Sequence, residues 1–302
     1  MTSPSRARLL LVLIAILWSL GGAFLKSIPD VNWMMVAGVR SLIAGVLFLP
    51  GLRMPRPPAR KLVPVVLLYA GVVTSLMGSM QLGTAAQGIW LQYTAPAVVA
   101  LWVWRLQRQK PTRMEGLALA LTGVAIVLIV TGGAGARHYY SLLLGVVSGI
   151  IYGTIIVLLK DLSDVPAPAI HVWTNLGTAA LVLPVALLLG VQFPTVPRDL
   201  GLLALMGSVQ LALPYYLFQR ALRGSRALEA SIILLLEPIL NPTLAYLVVG
   251  EVPSARVIAG CALIAGGLVA FAIGNGRRRR VTCHQDGQSA DEGRVPPVAG
   301  CR

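Results

Sequence analysis

Apolar runs close to the length of a bilayer crossing fill almost the whole chain. They fall at about 8–26, 33–52, 62–81, 85–104 and 115–132, then at about 141–159, 168–190, 200–219, 228–249 and 254–274. One helical span takes roughly 20 apolar residues to cross about 30 Å of hydrocarbon. Only 12% of the residues are charged, against about 25% in soluble domains, and mean hydropathy is +0.78. Water would meet large apolar patches on such a fold, whereas lipid tolerates an apolar exterior. The pattern predicts an all-α membrane protein of ten transmembrane helices.

Short turn and charge signals separate the runs: Pro29-Asp30, Arg53 to Lys61, Arg105 to Arg113, Gly132 to His138 and Pro194 to Asp199. The net charge of +14 would point to nucleic acid in a soluble chain. Here the cations cluster in alternate loops. With the N-terminus in the cytoplasm, twenty Lys and Arg fall inside and four (Lys26, Arg137, Arg198 and Arg256) outside, with Arg40 inside a span. Positive residues stay cytoplasmic, so both termini are expected in the cytoplasm and nucleic acid is not expected as a partner. The first run follows Arg6 and Arg8 as a signal peptide would, but lacks a small-x-small cleavage site, and the repeat below pairs it with an internal span. We read it as a retained helix. The polar tail at 277–302, opened by Arg277 to Arg280, has no periodicity and is expected to be disordered.

Shifting the chain by 134 residues aligns Lys26 with Lys160, Leu42 with Leu176 and Pro50 with Pro184. After a small insertion, an offset of 142 aligns Pro96 with Pro238 and Pro111 with Pro253. The reading is one five-helix repeat over 1–134 and a second over 135–276. Five is odd, so the halves enter the membrane from opposite sides. Inverted repeats of this kind underlie alternating access, with the substrate site near the midplane between the halves.

Glu237 lies in mid-span within Leu234-Leu235-Leu236-Glu237-Pro238. An ionisable group there is expensive and faces the protein interior or a wet cavity. It fits substrate or proton binding, or a structural bond to a neighbouring helix. Asn241 shares its helix face, and Pro238, Pro242 and Pro96 each remove a backbone donor and kink their helices. Arg40, too deep to snorkel, fits a substrate carboxylate, an ion pair or a backbone tie. Trp18, Tyr152, Gln92, Tyr93 and Gln210 also fall near span centres, with Trp18 and Tyr152 equivalent at the 134 offset; packing and binding both suit them. Asn175 and Trp173 are weaker candidates. Gly145, Gly149 and Gly153 form one small-residue face suited to close helix packing. The three cysteines and three histidines have no metal-ligand spacing. No P-loop, dinucleotide fingerprint or zincin motif occurs. The expectation is no enzyme, no metal and no cofactor.

Several segments resemble one family. In the second half these are Tyr215-Tyr216-Leu217-Phe218 through Ala221-Leu222, Ala227, Ala230-Ser231, Leu236-Glu237-Pro238, Ala245 to Glu251 and the small residues of 260–267. In the first half they are Leu17-Trp18-Ser19, Arg40 with Ala44, and Pro96 before an apolar run. In this order the chain resembles the EamA-type branch of the drug/metabolite transporter superfamily. The resemblance implies two inverted five-helix repeats around a central cavity lined mainly by spans 1, 3, 4, 6, 8 and 9. It also implies movement of small polar metabolites, often amino acids, outward across the plasma membrane. The Gly-Glu expected after span 4 reads Arg108-Gln109, so Glu251 is expected to act as a cap or to pair near Arg256. The expected partners are a small-molecule substrate, the lipid bilayer and a coupling proton or exchanged solute. The substrate-binding set is Glu237, Asn241, Trp18, Tyr152, Gln92, Gln210 and Arg40. Efflux of lipophilic cations and a non-transporting membrane scaffold or sensor are the alternatives.

Overall fold

The computed structural model describes residues 4–108, 113–162, 164–222, 230 and 233–270. The tail 277–302, and with it Gln109, Arg223, Arg226, Ala227 and Ser231, lies outside the described residues. Helix dominates what is described, and no strand occurs among those residues. The first half holds α1 (Pro4–Lys26), α2 (Trp33–Leu47), α3 (Ala59–Leu82), α4 (Ala85–Gln92), α5 (Ala95–Gln107) and α6 (Arg113–Val130). The second holds α7 (Ala136–Leu159), α8 (Ala167–Leu188), α9 (Pro197–Leu205), a π-helical turn (Met206–Ala212), α10 (Leu213–Leu222), α11 (Leu236–Val249) and α12 (Ala255–Ala270). Five helical segments of 22–24 residues are long and apolar enough to cross a bilayer; at 1.5 Å per residue, 24 residues extend about 36 Å. Four more apolar helices are shorter: Trp33–Leu47, Gly116–Val130, Leu236–Val249 and Ala255–Ala270.

The helix pairings repeat when the halves are exchanged. The α1 helix packs on α11 as α7 packs on α4 and α5. Likewise α3 packs on α7 as α10 packs on α1, and α3 meets α8 as α2 meets the π turn, while α2 and α8 pair with each other. The largest buried cluster draws on both halves, with Met35, Val36, Met77, Met80, Ile155, Leu203 and Met206 among its members. The outer surface is apolar as well: Leu188 is 87% and Leu247 69% exposed. Lipid is the solvent that makes such a surface stable.

Two helices break where sequence predicts kinks. The run at 85–104 divides at Tyr93-Thr94 into α4 and α5. Pro96 has no N–H for the Gln92 carbonyl and its ring cannot follow an α-helical turn; the Thr94 amide bonds Leu91 O instead, at 3.2 Å. The ninth run turns at Leu235, before Pro238 in the first turn of α11. At the 142 offset Tyr93 corresponds to Leu235, so the breaks occupy equivalent places in the two halves.

The glycine face of α7 packs on the first break. A Cβ at Gly149 would lie 2.4 Å from Thr94 Oγ1 and 2.6 Å from Leu91 O, and one at Gly153 would lie 2.7 Å from Ala95 O. Backbone oxygens cannot withdraw as a side-chain tip can, so these glycines set how closely α7 approaches the interrupted helix. Gly149→Val should therefore lower the thermal midpoint of the detergent-purified protein, with overpacking of about 1–3 kcal/mol. Gly123→Ala, where a Cβ meets nothing within 4 Å, should leave the midpoint unchanged or raise it.

Candidate functional site

The two broken helices meet. The hydroxyl of Tyr93, in the break after α4, donates to Oε2 of Glu237 at 2.7 Å and lies 3.4 Å from the carbonyl of Leu234. Leu234 O is the group that Pro238, four residues on, leaves without its helical donor. One phenol thus serves both polar groups exposed by the second break. Glu237 sits in the first turn of α11, where a carboxylate also meets the positive end of the helix dipole. It is half-buried. Ser19 of α1 donates to Ala15 O at 2.6 Å and lies 3.2 Å from the backbone carbonyl of Glu237, which ties α1 to the same place.

Tyr152 of α7 lies within electrostatic reach of Glu237, Tyr69 and Tyr93. These neighbours belong to α11, α3 and the α4 break, so the ring faces the interior; yet 41% of the residue is exposed.

The remaining predicted residues take distinct places. Trp18 stacks edge-on against Tyr215, with ring centroids 5.5 Å apart, and lies 5.8 Å from Phe218. Gln210, 6% exposed in the π turn, donates to Trp18 O at 3.2 Å and fills the notch left by Gly21. Asn241, 1% exposed, lies against Gly22, as does Ala85. Gln92 turns toward α7 and donates to Ser148 Oγ at 3.2 Å. Glu237 and Tyr152 are therefore brought near one another, Trp18, Gln210 and Asn241 lie on or against α1, and Gln92 bonds α7. Pro214 is the second residue of α10, just after the π turn, whose wider register is a common local feature of functional helices.

Arg40 of α2 forms a second polar centre. It is 5% exposed, and its Nη1 lies 3.4 Å from the sulfur of Met77. Tyr69 of α3 and Tyr215 of α10 lie within its electrostatic reach. Among the described residues no carboxylate pairs with it; the ion pair they contain joins Lys26 to Glu251. The Tyr69 hydroxyl lies near Asn175 and Tyr215, and Arg40 Nε and Thr74 Oγ1 are buried without hydrogen-bond partners. Leaving one such neutral group unsatisfied costs about 1–3 kcal/mol, and more for a charged one.

Sequence reasoning left Tyr93 out of the binding set and gave Tyr69 and Tyr215 no role at the site. The signal for Tyr93 was present: the 142 offset that pairs Pro96 with Pro238 also puts Tyr93 level with Leu235, two residues from Glu237. Tyr69 carries no such mark, because α3 runs unbroken past it, through Pro64, and no charge lies within a turn of it. Of the two roles expected for Glu251 it takes the cap and does not pair near Arg256. Its Oε2 lies 2.7 Å from Lys26 Nζ and its Oε1 accepts the Ala85 amide at 2.6 Å, so it caps α4 while holding the end of α1. Lys26 also donates to Gly83 O at 2.6 Å. Arg256 donates to Thr131 O, also at 2.6 Å. The reason is spatial: α1 runs beside α11 along its length, which sets Lys26 across from the residue following that helix. Among the described residues no group of His, Cys, Asp and Glu is placed to hold a metal ion.

Comparison with known proteins gives this arrangement its context. A crystal structure described only as that of a protein has the same fold, with a TM-score of 0.63 and 20% identity, over 88% of this chain and 96% of that one. A protein of Archaeoglobus fulgidus described as an uncharacterized transporter is 27% identical over 265 residues, which are 86% of this chain and 94% of the relative. The pattern of the EamA-like transporter family fits the chain twice, over residues 5–131 and again over 140–273. A membrane chain whose two halves each fit that pattern, and whose helix pairings repeat between them, belongs to the EamA-like transporter family.

Proposed function

We propose that the chain is a secondary transporter of small organic metabolites, amino acids among them, and that it exports them across the plasma membrane by alternating access. It crosses the membrane ten times as two inverted five-helix repeats, with both termini in the cytoplasm. The observation that carries this reading is Glu237: a half-buried carboxylate at a helix break in an apolar run, bonded to Tyr93 of the other half and near Tyr152. Such a group can take a proton or a substrate amine. Its phenolic partner stands on the opposite repeat, so a change of occupancy at Glu237 acts on the contact between the halves. Trp18, Gln210 and Asn241 shape the α1 wall of the site, and Gln92 supports its α7 wall.

Alternating access also needs closures at both ends. By the distribution of Lys and Arg, the loops carrying Lys26, Gly83, Arg137 and Glu251 face outward. There Lys26, Glu251, Gly83 O and the Ala85 amide form one short-range cluster spanning both halves, with Arg137 donating to Leu82 O at 3.2 Å and Gln81 to Val31 O at 2.7 Å nearby. This cluster is the outer gate in its closed state.

Two measurements test the reading. Metabolites inside and outside cells producing wild type or Glu237→Gln at matched levels, profiled under an imposed proton gradient, should show a solute class that crosses only with the wild type. Equal movement by both forms would make Glu237 structural; movement of cationic dyes alone would favour cation efflux; no movement across a broad panel would favour a scaffold. At the gate, Glu251→Gln removes the ion pair and weakens the cap, while Lys26→Met removes the pair and the bond to Gly83 O but leaves the cap. Each should lower the thermal midpoint in detergent, with about 1.5–3 kcal/mol for a charge-assisted hydrogen bond. A wild-type midpoint in either variant would show that the bonds it removes contribute nothing.

A further inference from the structure

Arg40 has no use in the reading above. A guanidinium offers five N–H donors; here Nη1 meets a thioether sulfur, a weak acceptor, and Nε has no partner. Only 5% of the residue is exposed, and no carboxylate among the described residues pairs with it. Tyr69 of α3 and Tyr215 of α10 lie near the guanidinium, and the Tyr69 hydroxyl lies near both Tyr215 and Asn175. Tyr152, a neighbour of Glu237, is also a neighbour of Tyr69 and Tyr215.

We propose that Arg40 is the anion-binding pole of the substrate site and takes the carboxylate of an organic acid, flanked by the phenols of Tyr69 and Tyr215. The inference rests on the transporter reading and deepens it by naming a group the cargo must carry. A planar guanidinium matches a planar carboxylate through two parallel N–H···O bonds, and phenolic hydroxyls add donors on either side. One cation balances one negative charge, which favours a carboxylate over a phosphate dianion. Arg40 stands on α2, which packs on α8 and the π turn of the second half, so an anion seated there is held between the repeats as Glu237 is.

The test uses the full chain in lipid nanodiscs. Its thermal midpoint is followed with L-leucine, L-phenylalanine, L-threonine and succinate, and with the carboxamides of the three amino acids. Stabilisation by at least one of these acids, with a half-maximal concentration at least tenfold lower than that of its carboxamide, is the expected result. In Arg40→Lys, which keeps the charge and loses the bidentate fork, that preference should shrink severalfold. Carboxamides that stabilise as well as the acids, or no stabilisation by any acid, would overturn the proposal; both outcomes come from the wild type and do not depend on how the variant folds. Counterflow of the same compounds in proteoliposomes separates the two readings. Stabilisation without flux keeps the anion pole and removes the transporter, whereas carboxamide flux equal to acid flux keeps the transporter and removes the anion pole.

Discussion

In hydrocarbon no water takes up a backbone carbonyl that its own helix leaves free, so a helix can be interrupted only where protein covers the gap or a cavity wets it. That constraint governs this structure. Pro96 and Pro238 open two helices at equivalent places, and the packing of α7, α1 and the two breaks answers the exposed groups. The α7 side supplies glycines, because only a surface without Cβ atoms can lie against Leu91 O, Thr94 Oγ1 and Ala95 O at the separations found. The other side supplies a phenol, since Tyr93 reaches both Leu234 O and the Glu237 carboxylate. The cost of breaking a helix in lipid and the cost of placing a carboxylate there are offset by one contact.

The same contact joins the two repeats. The helical runs are interrupted at Tyr93-Thr94, where the Thr94 amide turns to Leu91 O, and at the turn residue Leu235. Tyr93 and Glu237 come from different repeats, so their hydrogen bond bridges the two interruptions. The glycine face of α7 packs against the first of them, which leaves no room for a side chain between α7 and the α4–α5 turn.

Much of the architecture could be read from the chain. Apolar runs located the helical segments, and the proline offsets located the breaks, because both express the one requirement that backbone polar groups be satisfied in lipid. Glu237 and Arg40 stood out for the same reason, as charges amid apolar sequence. What escaped was which neutral residues meet them. Tyr93, Tyr69 and Tyr215 resemble any aromatic residue of a membrane helix, and only the helix arrangement sets them beside a charge. The partner of Gln92 was equally hidden: only the turn at Tyr93 directs its amide to Ser148 on α7. The partner of Glu251 was missed because no periodicity connects residue 26 with residue 251; it follows from α1 and α11 being neighbours.

Pseudo-symmetry makes one departure informative. Exchange of the halves carries Lys26 to Lys160 at the 134 offset and Glu251 to Gln109 at the 142 offset. The cation is therefore kept in both halves of the sequence, but the carboxylate only in the second. A neutral amide cannot form an ion pair, so the Lys26–Glu251 contact that ties the end of α1 to the end of α11 has no equivalent among the matching residues of the other pair. The repeat is thus symmetric in its helix pairings and asymmetric in its charges.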